Sequence, residues 1–288
     1  MNVLSLFDGM SCLQIALKEL NINYGTYYAS EIDKYAINQT QLNFPNTIQL
    51  GSVTEWQTWD IDWSKIGLIG TGSPCQGFSF AGKQLAFDDE RSKLFFVFVD
   101  ILNHAKKFNP EVKFLFENVN MKKSHMKVIN DYLGLHGVNI NSNLVSAQNR
   151  NRWYWSNIRT KRIGLFGDLV TDIPQPKDRG ILLRDILEDG KTDREKSFCI
   201  DANYFKGGSL KIYLEKSRRQ LVLRQSESRL MVKMNNKYRM LTPLECAKLQ
   251  TIPSWYKWNC SETQQYKMLG NGWTNEVIKH ILKYLNHG

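Results

Sequence analysis

The chain has 288 residues and a hydrophobic fraction of 42%, enough to bury one large core, or a large and a small one, and too much for a disordered chain. No apolar run is long enough to span a bilayer. With 38 basic and 28 acidic residues the net charge is +10, which points to a polyanionic partner.

In chain order, residues 3–7 predict a buried strand and Asp8-Gly9-Met10-Ser11 a turn. Leu13, Ile15, Ala16, Leu17 and Leu20 then line one side of a helix that Ser11 is expected to cap. Strand, glycine turn and helix is how α/β proteins open a nucleotide site, because a helix N-terminus offers free N–H groups. A second strand, residues 26–30, ends at Glu31. A carboxylate roughly 20 residues past such a turn can hold a ribose diol; an acid here can also simply start the next helix at Asp33-Lys34. A short strand at 47–50 and the turn Gly51-Ser52 follow.

The apolar run 66–69 predicts a buried strand that leads into residues 70–82, a loop dense in Gly and Ser where Cys75 follows Pro74. A free cysteine is commonly a small buried hydrophobe. One on a loop at a strand's end is also placed for chemistry. Residues 91–107 predict a helix with a core stripe of Leu94, Phe95, Phe98, Ile101 and Leu102. Residues 113–116 predict a strand that delivers Glu117-Asn118-Val119 at its end, and 122–133 another helix. This alternation predicts an α/β fold with a mostly parallel, doubly wound, Rossmann-like sheet and functional loops at the strand carboxyl ends. Gly9, Glu31, Cys75 and Glu117 all fall at that edge.

If residues 148–152 are extended, Gln148, Arg150 and Arg152 share one face, as in a charged edge strand or a surface for a phosphate or base. Beyond residue 160 the alternation stops. Residues 161–240 hold 18 basic against 11 acidic side chains, a net of +7, leaving +3 for the other 208 residues. That concentration suits a small, irregular nucleic-acid-binding domain, and a solvated basic face has the same signature. Thr242-Pro243-Leu244-Glu245 starts a helix, with Pro at its first position and Glu in its first turn. Gly270-Asn271-Gly272-Trp273-Thr274 leads into a terminal amphipathic helix over 277–285. The expected partition is 1–160, 161–240, and a return segment 241–288 whose helix packs back on the first domain.

Cys12, Cys75, Cys199, Cys246 and Cys260 are odd in number and widely spaced, with no CxxC pair. Neither a disulfide framework nor a metal site is expected, and a reducing cytoplasm fits. The opening residues carry no secretion signal.

Together these residues resemble the DNA cytosine-5 methyltransferases, of the compact bacterial and phage type, over nearly the whole chain. Phe7-Asp8-Gly9 is similar to that family's cofactor-binding opening, and Glu31-Ile32-Asp33-Lys34-Tyr35-Ala36 to the segment whose acid binds the ribose of S-adenosylmethionine. Pro74-Cys75-Gln76 is similar to its nucleophile motif, followed by a closing loop through Gly82-Lys83-Gln84 and Phe87-Asp88-Asp89. Glu117-Asn118-Val119 is similar to the motif that holds the flipped cytosine, Gln148-x-Arg150-x-Arg152 to its Gln-x-Arg-x-Arg, and Thr242-Pro243-x-Glu245-Cys246 and Gly270-Asn271-Gly272-Trp273 to its last two blocks. The resemblance implies that Cys75 is the nucleophile, that Glu117 assists at ring nitrogen 3, that Arg152 holds the base carbonyl, and that Arg150 orients Glu117 or a phosphate. It implies an S-adenosylmethionine pocket of Phe7, Gly9, Glu31, Ile32, Ser52, Val53, Pro74, Leu94 and Asn271. It also implies double-stranded DNA as partner, a monomer, and a bacterial or phage-infected cytoplasm. Two departures stand out. Ser11 and Cys12 replace further glycines of the opening loop, and Ser52 stands where the family usually has an aspartate for the adenine amino group.

Overall fold

Short runs of Val, Ile, Leu and Phe, apolar on both faces, build the centre of the first part of the chain. They suit strands of a sheet covered on both sides. β1 (Asn2–Leu6), α1 (Cys12–Glu19), β2 (Tyr27–Ser30), α2 (Lys34–Asn43), β3 (Ile48–Gln49), β4 (Ile66–Thr71), α3 (Glu90–Phe108), β5 (Lys113–Val119), α4 (Lys123–Leu133), β6 (Val138–Asn141) and β7 (Asn151–Ser156) follow one another. The computed structural model describes residues 1–73, 90–165, 167–224 and 238–285. Its contacts define two units: Met1–Ile140 with Asn151–Gln175 and Ile278–Gly288, and Asn141–Arg150 with Pro176–Val277.

The seven strands of the first unit form one sheet in the order β3-β2-β1-β4-β5-β7-β6. β3, β2, β1, β4 and β5 pair parallel, and β7 runs antiparallel to β5. The expected mostly parallel α/β sheet is therefore present. The chain travels outward from β1 to β2 and β3, then returns to the other side of β1 with β4 and continues to β5. β1 and β4 are thus neighbours whose next strands lie on opposite sides, the kind of position at which open α/β sheets bind ligands.

The α3 stripe lies in the core as expected: Phe95, Phe98, Ile101 and Leu102 are buried, with Phe114, Phe116 and Trp155 of the sheet. Phe98 stacks on Phe116 at 5.4 Å and Phe116 meets Trp155 at 5.4 Å. Each such ring contributes roughly 1.5–3 kcal/mol by burial, so this face of the sheet is rigid beneath its carboxyl edge.

Regular structure also continues past residue 160, where the composition predicts none. β8 (Thr160–Ile163) and β9 (Asp168–Thr171) form an antiparallel hairpin in the first unit. Its charged residues hide the strand pattern, and they pair across the hairpin's base: Arg159 and Lys161 each lie 2.9 Å from Asp172. Residues from Ile278 onward also belong to this unit. Within it, Lys279 pairs with Glu19 at 3.5 Å, and the His280 ring meets the Pro174 carbonyl at 2.7 Å.

The second unit holds α5 (Leu210–Lys216), the short antiparallel pair β10 (Leu221–Leu223) and β11 (Tyr238–Met240), α6 (Pro243–Leu249), α7 (Glu262–Asn271) and the start of α8 (Asn275–Leu282). The sequence-predicted start of α6 is present as a full capping box between Thr242 and Glu245. Glu245 is wholly buried and accepts two hydrogen bonds from Arg239, both at 2.8 Å, and one from the Glu188 amide at 2.8 Å. Gln250 uses its entire amide in the same unit. It accepts from Gln148 and Thr274, both at 2.9 Å, and donates to the Leu269 carbonyl at 2.6 Å and the Gly272 carbonyl at 3.1 Å. Gly270 packs so closely that a Cβ there would lie 2.2 Å from the Asp201 carbonyl carbon. Gly270→Ala is therefore expected to lower stability by about 1–3 kcal/mol, as overpacking against backbone does. Urea unfolding measures this, and an unchanged midpoint would show that Asp201 yields freely.

Candidate active site

The turn after β1 alternates left-handed residues: Phe7 has φ 55°, Gly9 58° and Ser11 66°. Glycine adopts this freely, whereas Phe7 and Ser11 each give up roughly 1–2 kcal/mol, so the surroundings must hold the turn in place. Two carboxylates do so. Glu31, the residue after β2, accepts the Gly9 amide on Oε2 at 2.8 Å, and on Oε1 its own following amides, Ile32 at 2.7 Å and Asp33 at 2.8 Å. Asp8, one residue before Gly9, accepts the Tyr27 hydroxyl on Oδ1 at 2.8 Å. Its amide donates to the Ser30 carbonyl at 3.2 Å, and its carbonyl accepts the Ser11 amide at 3.0 Å. Asp8 is 9% exposed, and burial above all raises its carboxyl from 3.8 to about 6. Among the described residues its Oδ2 has no partner.

Ser11 does not cap α1 as predicted. A capping residue needs extended backbone; Ser11 is left-handed, and its hydroxyl donates to Gln14 Oε1 at 3.1 Å instead.

The second cluster follows from strand register. β4 runs beside β5 with Thr71 opposite Phe116, and β7 places Arg152 opposite Val119. Residues two apart on a strand share a face, so Glu117, Val119 and Arg152 share one, and Glu117 and Arg152 are diagonal neighbours. The Arg152 Nε lies 2.9 Å from Glu117 Oε1. Glu117 is 8% exposed and sits inside β5, a little short of the strand end where the apolar pattern alone would put it. Asn118, on the other face, donates to the Ser73 hydroxyl at 3.4 Å. The chain leaving β4 toward Cys75 is therefore tied to β5 at Asn118, the residue after Glu117. Pro74, Cys75 and the loop through Asp89 lie outside the described residues.

Gln148 and Arg150 do not share Arg152's environment. Arg150, 3% exposed, belongs to the second unit. Its guanidinium donates there to the carbonyls of Ile200 at 3.2 Å, Gly270 at 3.3 Å and Gly272 at 2.7 Å, and to Cys199 Sγ at 3.3 Å. In this arrangement those donors go to three backbone carbonyls and Cys199, and the expected role of orienting Glu117 or a phosphate remains a proposal. Gln148 donates to the Leu249 carbonyl and Gln250 Oε1, both at 2.9 Å. Alternation along an extended segment could not reveal this, because β7 begins only at Asn151.

Among the other residues singled out from sequence, Ile32 stands 77% exposed beside Glu31, while Phe7 and Leu94 are partly buried against the core. Val53 is buried. The Ser52 hydroxyl lies 2.8 Å from the Thr54 hydroxyl and accepts the Thr54 amide at 3.3 Å, capping a 3-10 turn over Val53–Thr58. Asn271 is exposed at the end of α7, in the second unit. Sequence reasoning missed the Asp8–Tyr27 pair; its signal was an acid inside the glycine turn and a tyrosine on the neighbouring strand.

The first unit's residues fit an adenosine-containing cofactor. Glu31 presents a carboxylate at the turn after β1, the apolar side chain of Ile32 is open beside it, and among the described residues a Cβ built at Gly9 or Gly51 would meet nothing within 4 Å. Among the described residues no group of acids, histidines and cysteines could hold a metal, and no helix is long and apolar enough to cross a membrane.

A doubly wound parallel sheet with a glycine turn after β1 and an acid after β2 defines the Rossmann-like class. Within it, the sequence pattern of the C-5 cytosine-specific DNA methylases matches residues 1–287, and the chain belongs to that family. It is 31% identical to the Type II methyltransferase M1.ScrFI of Lactococcus lactis subsp. cremoris, over 93% of this chain and 74% of that protein. It is 27% identical to the Type II methyltransferase M.NlaX of Neisseria lactamica, over 98% of this chain and 95% of that one. In fold it is similar to the methyltransferase EhMeth of Entamoeba histolytica, with a TM-score of 0.70 at 18% identity over 99% of this chain and 97% of that one. The Dnmt2 methyltransferase of S. pombe has a TM-score of 0.65 at 18% identity, covering 99% of each chain.

Two outcomes follow. Arg150→Leu leaves three backbone carbonyls without their donor and is expected to cost about 1–3 kcal/mol per unmet buried group, read as a lower urea midpoint; a midpoint equal to wild type would show those bonds to be dispensable. For Asp8, the folded carboxyl holds its proton more tightly than the unfolded one, so its contribution to stability is greatest below about pH 4 and is lost as pH rises through about 6. The shift of about two units corresponds to roughly 3 kcal/mol. Asp8→Asn should therefore gain stability relative to wild type between about pH 4 and about pH 7, and a constant offset would rule this out.

Proposed function

We propose that this methyltransferase transfers a methyl group from S-adenosylmethionine to carbon 5 of a cytosine flipped out of a short, specific duplex DNA sequence, through a covalent adduct with Cys75. The observation that carries this reading is the Glu117–Arg152 pair, 2.9 Å apart on β5 and β7, beside the strand that leads into the Pro74-Cys75-Gln76 segment. The family membership of the chain supports it. So do the names of relatives described as Type II methyltransferases, the class that accompanies restriction nucleases.

The chemistry assigns each residue a task. Cytosine carbon 5 is a poor nucleophile. Cys75, as thiolate, adds to carbon 6 and breaks the ring's aromaticity, which makes carbon 5 enamine-like. Charge then collects at ring nitrogen 3, where Glu117 supplies a hydrogen bond or proton. Arg152, already held against Glu117, donates to the base carbonyl. S-adenosylmethionine, when bound, supplies the electrophilic methyl group. Glu31 holds its ribose; Phe7, Gly9, Ile32, Ser52, Val53, Pro74, Leu94 and Asn271 are assigned to the same cofactor by the family's motifs. After transfer the carbon 5 proton leaves to water, and the electron pair restores the ring and expels Cys75. The target base must leave the duplex, at a cost of a few kcal/mol. Residues 161–240, with their net charge of +7, would supply phosphate contacts and sequence reading. Residues 1–160 and the return segment 241–288 would carry catalysis. The enzyme is read as a monomer of the bacterial or phage-infected cytoplasm.

The test is a mechanism-based trap. With 5-fluorocytosine at the target, fluorine cannot leave as the proton does, so a covalent protein–DNA adduct should accumulate with wild type and vanish with Cys75→Ser. Bisulfite sequencing of DNA from expressing cells should show protection in one short context. Adduct formation on transfer RNA and none on duplex DNA would move the reading to an RNA substrate. No adduct on either, with cofactor bound, would leave a DNA-binding protein without catalysis.

A further inference from the structure

Asp8 and Gly9 are consecutive, yet their bonds hold the turn from three different residues of one strand region. The Gly9 amide reaches Glu31, just past the end of β2, at 2.8 Å. The Asp8 carboxylate reaches Tyr27, the first residue of β2, at 2.8 Å, while the Asp8 amide bonds the Ser30 carbonyl at 3.2 Å. Tyr27 is itself fixed: it is 2% exposed and paired with Val3 in the β1–β2 register. The Gly9 carbonyl is bonded in turn by the Thr40 hydroxyl of α2 at 3.3 Å. A backbone with left-handed residues at 7, 9 and 11 will not keep this shape unaided. Asp8 and Tyr27 hold it where the Gly9 amide meets the Glu31 carboxylate, and neither needs to touch a ligand to do so.

We propose that Asp8 and Tyr27 are positioning residues for the cofactor site: the Tyr27 hydroxyl, through the Asp8 carboxylate, locks the Phe7–Ser11 turn so that Glu31 is oriented before S-adenosylmethionine binds. The inference rests on the reading of Glu31 as a cofactor ligand. Its chemistry also makes cofactor affinity sensitive to acid. A hydrogen bond to a carboxylate is roughly twice as strong as one to a neutral acceptor, so protonation of Asp8 loosens the lock. Burial places that protonation near pH 6. The groups that face the carboxyl are the Tyr27 phenol of β2, the hydroxyls of Ser5 and Ser11, and, at longer range, the Glu31 carboxylate.

Isothermal titration of the full chain with S-adenosylmethionine, at about pH 7.5 and about pH 5.5, tests this. Tyr27→Phe removes one hydroxyl and keeps the ring in the core. It is expected to weaken binding about tenfold or more at the higher pH and to raise the KM for the cofactor, while kcat at saturating cofactor stays close to wild type; losing a donor to a buried carboxyl lowers the melting temperature, but the chain stays folded at the assay temperature. Wild type should bind more weakly at the lower pH. Asp8→Asn, which keeps an acceptor for Tyr27 but does not titrate, should lose that pH dependence. Wild-type affinity in Tyr27→Phe, or an unchanged pH profile in Asp8→Asn, overturns the proposal while leaving the assigned function intact. If wild type and Glu31→Gln bind the cofactor equally, the cofactor reading of Glu31 falls and the proposal with it.

Discussion

In this protein, two parallel strands lie side by side while the chain leaves them in opposite directions. β1 and β4 are neighbours in the sheet, but β2 and β3 extend to one side and β5 to the other. Open α/β sheets bind their ligands at such a reversal of strand order, outside the strand carboxyl ends. The glycine turn comes from one loop and the thiol segment from the other. β5 then sets Glu117 beside the exit from β4, and β7, antiparallel to it, brings Arg152 to the same face. The site is a consequence of strand order and register before any single side chain is considered.

Arg150 and Arg152 show how different the surroundings of near neighbours can be. They are two residues apart in a motif that looks like a single surface. Arg152 lies on a paired strand and meets a carboxylate; Arg150 lies just before that strand and is consumed by three carbonyls of the second unit. A buried guanidinium is costly unless its donors are met, and backbone carbonyls near Gly270 and Gly272 meet them. Two arginines of one motif can therefore have unlike partners, and residue type does not tell them apart.

The buried carboxylates divide in a similar way. Glu245 is surrounded by donors: Arg239, the Glu188 amide and the amide of its capping partner Thr242. Asp8 accepts the Tyr27 hydroxyl on Oδ1, but among the described residues its Oδ2 has no partner, so desolvation dominates and its carboxyl rises to about 6. A group kept in so poorly compensated a place, inside a turn of left-handed residues, marks where stability has been given up for geometry.

Much of this was legible in the chain itself. Apolar runs of strand length alternating with striped helices required an α/β sheet, because each element must bury its apolar face against another. The order of Gly9, Glu31, Cys75 and Glu117, each following or ending such a run, placed chemistry at the carboxyl edge, and Thr242-Pro243-x-Glu245 foretold a capped helix that is present. What local pattern could not carry was anything set by distant partners. The hairpin over 160–171 was hidden because its charged strands match no apolar pattern, and those charges find their partners only once the two strands pair. The loss of the Ser11 cap depends on a left-handed backbone imposed by the turn. The division between Arg150 and Arg152, and the Asp8–Tyr27 lock, arise from register and burial, which bring together residues that have no relation along the sequence. The sequence by itself determined the class of fold and the chemical inventory at its edge. Tertiary structure alone decided which of those groups face one another, because hydrogen-bond partners and desolvation are properties of packing, not of order.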